Sequence, residues 1–120
     1  MPILYSLYFS PWSLKARWAL DHHGVEYEQR EYLPVIGEPL MRLRLRNFTA
    51  KITVPILFGT GAPLTDSFAI ARYAETIGSG PKLFPPGRGR DIEAWNQRGE
   101  TALAAGRLLS MAEILNDPEA

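Results

Sequence analysis

Residues 3 to 9, Ile3-Leu4-Tyr5-Ser6-Leu7-Tyr8-Phe9, alternate β-branched, aromatic and small side chains and run into Ser10-Pro11, the pattern of a strand closed by a turn. The period then changes. Trp12, Leu14, Ala16, Trp18, Ala19 and Leu20 interleave with Lys15, Arg17 and Asp21 at helical spacing, with Pro11 suited to the first turn and Gly24 to the stop. Ser10 therefore falls where a strand hands over to a helix. Val25 to Leu33 reads as a second strand, broken by Pro34, Gly37 and Pro39. From Leu40 to Phe48 two periods compete: Leu43 and Leu45 alternate with Arg42, Arg44 and Arg46 as in a strand, while the strong helix formers also fit a helix. Val54 to Phe58, a Gly-rich turn at 59 to 61 and Ala62 to Thr65 predict a hairpin. Asp66 or Ser67 then caps a helix that runs to about Ile77.

Gly78-Ser79-Gly80-Pro81 and Pro85-Pro86-Gly87 have the composition of a linker, and the domain boundary is placed there: 1–80 as one domain, 81–120 as linker and first helix of a second. That helix spans roughly Asp91 to Leu115, with Ile92, Trp95, Leu103, Leu108, Met111 and Leu115 on broad apolar faces. One helix cannot bury such faces alone, so further helices, a partner subunit, or both are expected. The order β-α-β, an ambiguous segment, then β-β-α implies a mixed sheet whose first two strands are parallel through a right-handed crossover and whose last two are antiparallel. This is an α/β, thioredoxin-like plan (βαβ-α-ββα), followed by the start of an all-α domain that looks incomplete.

Composition narrows the chemistry. A chain of 120 residues with 46% hydrophobic side chains can build a core without staples. Thirteen basic and thirteen acidic side chains cancel, which leaves no global field to draw nucleic acid or an anionic membrane. With no cysteine, disulfides, zinc–thiolate sites and a protein thiol nucleophile are excluded, so any sulfur chemistry must use a ligand's sulfur. The opening residues carry no cationic leader and no apolar run of membrane-spanning length; a soluble, cytoplasmic protein is expected. His22 and His23 point about 100° apart on a helix, which disfavours a paired metal site, and solvated histidines compensating the helix dipole are expected instead.

Four features carry candidate chemistry, each with a plain structural alternative. Ser10-Pro11-Trp12-Ser13 occupies the strand-to-helix junction where oxidoreductases of this plan carry Cys-x-x-Cys. A helix amino terminus offers unpaired N–H groups and partial positive charge, so a thiolate or other small anion is stabilised there. Ionising a ligand thiol of pKa ~8.5 at neutral pH requires a fall of ~1–2 units, or ~1.4–2.7 kcal/mol. A hydroxyl hydrogen bond to a charged acceptor contributes ~1.5–3 kcal/mol, so one serine suffices. The alternative is that Ser10 is an ordinary N-cap. It has no base to make it a nucleophile itself, since His22 lies about 18 Å away along the helix. Val54-Pro55 is the second feature: a cis bond would turn the Val54 backbone outward to pair with an extended peptide, and a trans edge-strand proline is the alternative. Asp66-Ser67 could receive a ligand carboxylate, or merely cap its helix. The basic run Arg42, Arg44, Arg46 and Lys51 could contact a dianionic peptide, or form a solvated face.

Taken together, residues 3 to about 80 resemble the amino-terminal domain of the glutathione transferases. The resemblance rests on Ile3-Leu4-Tyr5-Ser6, on the segment from Ser10 to Leu20, on Val54-Pro55-Ile56-Leu57, and on Asp66-Ser67-Phe68-Ala69-Ile70-Ala71-Arg72-Tyr73 in that order. The serine-first segment is similar to the zeta and tau branches. The resemblance implies that Ser10 activates the glutathione thiol, that Pro55 is cis, that the Val54 backbone pairs with the cysteinyl part, and that Asp66 and Ser67 hold the γ-glutamyl end. It implies a supporting role for Ser13 and makes Lys51 a secondary candidate, although Asn47 to Thr53 is longer than the family's segment and lacks its proline. The implied partners are glutathione as co-substrate and a small electrophile, in a homodimer, without metal, nucleic acid or membrane. A non-catalytic binding or scaffold protein or a fragment, and a glutathione-dependent isomerase or dehalogenase, stay open beside conjugation.

Overall fold

The computed structural model describes residues 1–33, 36–49 and 52–116. Two compact units result, Met1–Leu83 and Phe84–Ala120. In the first, strand β1 (Ile3–Ser6) leads into helix α1 (Pro11–His22), β2 (Glu28–Glu31), α2 (Glu38–Leu45), β3 (Ile56–Phe58) and α3 (Ser67–Ile77). The sheet order is β2-β1-β3. β1 pairs in parallel with β2, Ile3 opposite Glu28 and Ser6 opposite Glu31, and antiparallel with β3, Ile3 opposite Phe58 and Tyr5 opposite Ile56. The predicted fourth strand contracts to a bridge, in which Leu57 and Leu64 exchange hydrogen bonds of 2.8 and 3.0 Å.

Alternation along β1 sorts the unit into layers. Leu4 points to one face and is fully buried against Ala16, Leu20, Leu57, Ile70 and Ala74, the core that α1 and α3 close together. Tyr5 points to the other and packs on a second core of Tyr32, Met41 and Ile56. α2 resolves the competing periods in favour of a helix. Met41 and Leu45, four residues apart, share the face that meets the second core, and the Arg42 guanidinium chelates the Glu38 Oε1 at 2.7 and 2.9 Å one turn away. The strand-like alternation arose because Leu43, on the opposite face, stays exposed.

Both strands are shorter than the alternation predicts. β1 stops at Ser6 because the amide of Ser10 turns back to the carbonyl of Leu7 at 3.0 Å. β2 keeps only Glu28 to Glu31, all exposed at the sheet edge, and their charges oppose pairing with another strand.

The histidines are not the solvated pair expected. His23 is buried, and its Nδ1–H donates to the Ser79 carbonyl at 2.8 Å while the Ser79 amide donates back to the His23 carbonyl at 2.8 Å. The His22 ring stacks on Trp18 at 4.9 Å and its Nε2 lies 2.9 Å from the Pro81 oxygen. Packing of α3 on α1 lays the residues after α3 across the end of α1, which local sequence does not reveal.

The second unit holds helix α4 (Gly89–Asn116). Trp95, Leu108, Leu109, Met111 and Leu115 are exposed along it, and the Arg98 guanidinium stands over the Trp95 ring at 5.1 Å.

Candidate functional site at one end of the sheet

The topology brings the candidate residues to one end of the sheet. Leu4, Leu57 and Leu64 stand in one row across it. Two residues further along each segment come Ser6, Pro55 and Asp66, so the turn after β1, the Val54-Pro55 bond and the start of α3 share an end. α1 and α3 both begin there, and the partial positive charge of each helix amino terminus faces the same region.

Ser10 is the residue before α1, with extended backbone (φ −79°, ψ 127°), and its hydroxyl makes no capping hydrogen bond. That separates it from Ser13. Ser13 is fully buried and its Oγ accepts a hydrogen bond from the Leu7 amide at 3.1 Å, fastening the turn from within. The same turn is held from two other elements: Glu31 on β2 accepts from the Tyr8 amide at 3.3 Å, and the Nη2 of Arg17 on α1 donates to the Tyr8 carbonyl at 3.0 Å.

The Val54-Pro55 peptide bond is cis. Pro55 is buried, Val54 is half-buried against the second core, and among the described residues none gives the Val54 backbone a hydrogen-bond partner. Asp66 caps α3 through its side chain, which accepts from the Phe68 amide at 3.3 Å. Ser67 behaves differently. Its hydroxyl is buried and has no hydrogen-bond partner among the described residues, an arrangement that costs stability and asks for an explanation.

Lys51 lies outside the described residues. The basic run around it is not a uniform face. Arg42 is committed to Glu38, and Arg44 donates to the Tyr5 hydroxyl at 2.7 Å while standing 4.5 Å from the Phe58 ring centroid. A cavity of about 440 Å³ on α2 is lined by Glu38, Pro39, Arg42 and Phe48, and of the candidate residues only Arg42 reaches it. Below α1, burial first and then the hydrogen bond to Asp21 push the Tyr27 phenol up to about 12, partly opposed by Arg17. Among the described residues no group of His, Asp and Glu is placed to hold a metal ion, and no helix is long and apolar enough to cross a membrane.

Sequence reasoning missed Arg17 and Glu31. For Arg17 a signal existed: Ser10, Ser13 and Arg17 are spaced i, i+3, i+7 on one helical stripe. Glu31 needed the parallel register, which alone sets it opposite Ser6.

Residues 9–77, which include every candidate position, match the family described as "Glutathione S-transferase, N-terminal domain". The chain belongs to the glutathione S-transferase family. A probable glutathione S-transferase of rice (Oryza sativa subsp. japonica) is 29% identical over 98% of this chain and 60% of its own length. A probable glutathione S-transferase of Nicotiana tabacum is 30% identical over 68% of this chain and 35% of its own. The chain thus spans only part of the length of these relatives. Among solved structures, a rice glutathione S-transferase in complex with glutathione aligns at TM-score 0.57 and 27% identity, covering 82% of this chain and 43% of that one. A maleylacetoacetate isomerase from Anaeromyxobacter dehalogenans, with bound glutathione in its active site, aligns at TM-score 0.51 and 26% identity over 72% of this chain and 41% of its own. A tau-class enzyme from mango shares the fold at TM-score 0.61, with 23% identity over 78% of this chain and 43% of its own. The thioredoxin-like amino-terminal domain of glutathione S-transferases, with tau-class proteins among its relatives, is therefore the architecture of Met1–Leu83.

Proposed function

We propose that this chain carries the glutathione site of a glutathione transferase, in which Ser10 stabilises the ionised thiol for attack on a small electrophile. One observation carries the reading: the Ser10 hydroxyl, which makes no capping hydrogen bond, and the Ser67 hydroxyl, buried without a partner among the described residues, sit at two helix amino termini that open on the same end of the sheet. In this reading the Ser10 Oγ–H donates to the glutathione sulfur, and the thiol proton leaves to solvent. The thiolate then forms a carbon–sulfur bond with the electrophile, whose leaving group or accepting π system takes the electron pair. The backbone of Val54 next to Pro55 pairs with the cysteinyl unit, and Ser67, with Asp66 beside it, receives the γ-glutamyl end. Lys51 and Ser13 are secondary candidates, Ser13 through the turn it fastens. The exposed apolar residues of α4 fit a helical second domain that builds the electrophile pocket, in a cytoplasmic homodimer. A glutathione-dependent isomerase is the second reading, favoured by the likeness to the maleylacetoacetate isomerase.

The test is a calorimetric titration of glutathione into wild type and Ser10→Ala, slightly below and above neutral pH, with proton release recorded. Binding with proton release in wild type, and binding with much less release in Ser10→Ala, supports the reading. Equal release from both proteins removes Ser10 from the chemistry. Turnover of a chloroarene against turnover of a cis-enone then separates conjugation from isomerisation.

A further inference from the structure

The turn that carries Ser10 has little apolar anchorage. Tyr8 and Phe9 are 70% and 69% exposed, and their rings touch mainly each other, 5.5 Å apart and edge to face. What fixes the turn is polar. The amide of Leu7 is held by Ser13, the amide of Tyr8 by Glu31 and the carbonyl of Tyr8 by Arg17, so both peptide planes flanking Tyr8 are pinned from outside the turn. The two outer clasps are charge-assisted, the stronger kind of hydrogen bond. Arg17 sits two helical turns beyond Ser10 on the same stripe of α1, and the next group on that stripe, Asp21, is already engaged by the Tyr27 hydroxyl at 3.0 Å. The Arg17 Nε is buried without an acceptor among the described residues. A half-buried arginine with its Nε covered is a poor choice for filling space, but its fork reaches a backbone carbonyl that an aliphatic side chain could not hold.

We infer that Arg17, assisted by Glu31, is a positioning residue that fixes the Leu7–Ser10 turn and thereby aims the Ser10 hydroxyl. The inference rests on the reading of Ser10 as the partner of the thiol. Arg17 touches no reacting atom in it; it acts through the Tyr8 peptide.

The experiment compares wild type, Ser10→Ala, Arg17→Met, Arg17→Lys and Glu31→Gln. The ultraviolet absorbance of bound thiolate is titrated against pH, and amide hydrogen exchange is followed at Leu7, Tyr8 and Ser10, with Ile70 and Ala74 in α3 as core controls. Arg17→Met is expected to bind glutathione within about threefold of wild type but to raise the apparent pKa of the bound thiol by about one unit, a roughly tenfold loss of thiolate on the acid side. Its turn amides should exchange about tenfold faster while the α3 amides do not change, and Arg17→Lys should recover part of both effects. A thiolate titration present in wild type, lost in Ser10→Ala and unmoved in Arg17→Met sinks this inference alone. Equal acceleration of turn and α3 amides also overturns it, because Arg17 is then a general stabiliser. Absence of bound thiolate in wild type sinks the glutathione-site reading and the inference with it.

Discussion

Alanine in place of Gly78 tests the junction at which the residues after α3 close over the end of α1. Gly78 has φ −94° and ψ −166°, a conformation open to any residue, so its backbone does not require glycine. With free space around it, Gly78→Ala would stabilise the fold by ~0.4–1 kcal/mol through the unfolded chain. The space is not free. An added Cβ would run into the His23 carbonyl oxygen, stand 2.5 Å from the His23 Cβ and lie 2.8 Å from the Ala74 oxygen, all atoms of fixed elements. Relieving that overlap costs ~1–3 kcal/mol by analogy with overpacked cores. It also strains the hydrogen bonds from Gly78 to Ala74 and from Ser79 to His23, both 2.8 Å long, at ~0.5–1.5 kcal/mol each. The net expectation is a loss of about 3 kcal/mol, or about 1–3 M in the urea midpoint, followed by amide resonances of α1 and α3. Gly61→Ala is the control. Nothing lies within 4 Å of its added Cβ, but its φ of +94° imposes strain, for a cost of ~1–2 kcal/mol with no effect on the His23 contacts. A neutral or stabilised Gly78→Ala would refute the close approach of the two segments.

Two further perturbations read the site and its surroundings. Ser67→Ala removes a buried hydroxyl that has no partner among the described residues, so stability should hold or rise by up to ~1 kcal/mol while glutathione affinity falls; a parallel drop in both, by urea melts and calorimetry, would show the hydroxyl to be structural. Tyr27 gives an alkaline limit. Its phenol is raised from 10.0 to about 12 in the folded state, chiefly by burial, so its contribution is complete below pH 10 and is lost as pH climbs through 10 towards about 12. After allowance for its solvent exposure the loss is ~1 kcal/mol, and Tyr27→Phe should flatten the fall of stability between about pH 9 and about pH 11.5.

Legibility in the sequence followed the range of the interaction. α1 could be read because its limits are local: Pro11 sets the first turn and Gly24, at φ +64°, sits just past the stop. α3 was readable for the same reason, through Asp66. The segment 40–48 was ambiguous because Leu43, exposed on the far side of α2, imitates the period of a strand, and only the second core shows Met41 buried with Leu45 half-buried beside it. His23 was misread because nothing near it in sequence announces Ser79, fifty-six residues on, as its partner. At the site, serine and proline positions were visible as residue types. What could not be seen was commitment: which hydroxyls the fold engages and which it leaves unengaged.

That distinction makes the two roles open to Ser10 separable by experiment. Ser10 and Ser13 are three residues apart and chemically identical, yet Ser13 is fully buried with its Oγ bonded to the Leu7 amide, while the hydroxyl of Ser10 does not cap the helix it precedes. A serine that caps loses ~1 kcal/mol on conversion to alanine. Ser10→Ala should therefore leave stability within ~0.3 kcal/mol of wild type, well inside that value. Ser13→Ala should cost ~1–3 kcal/mol, because it strands the amide of Leu7 in a partly buried turn. Urea melts of the two variants, run beside the proton-release titration, separate fold from function at neighbouring positions. A loss near 1 kcal/mol in Ser10→Ala would mean that its hydroxyl serves the helix, and the thiol would then need another donor.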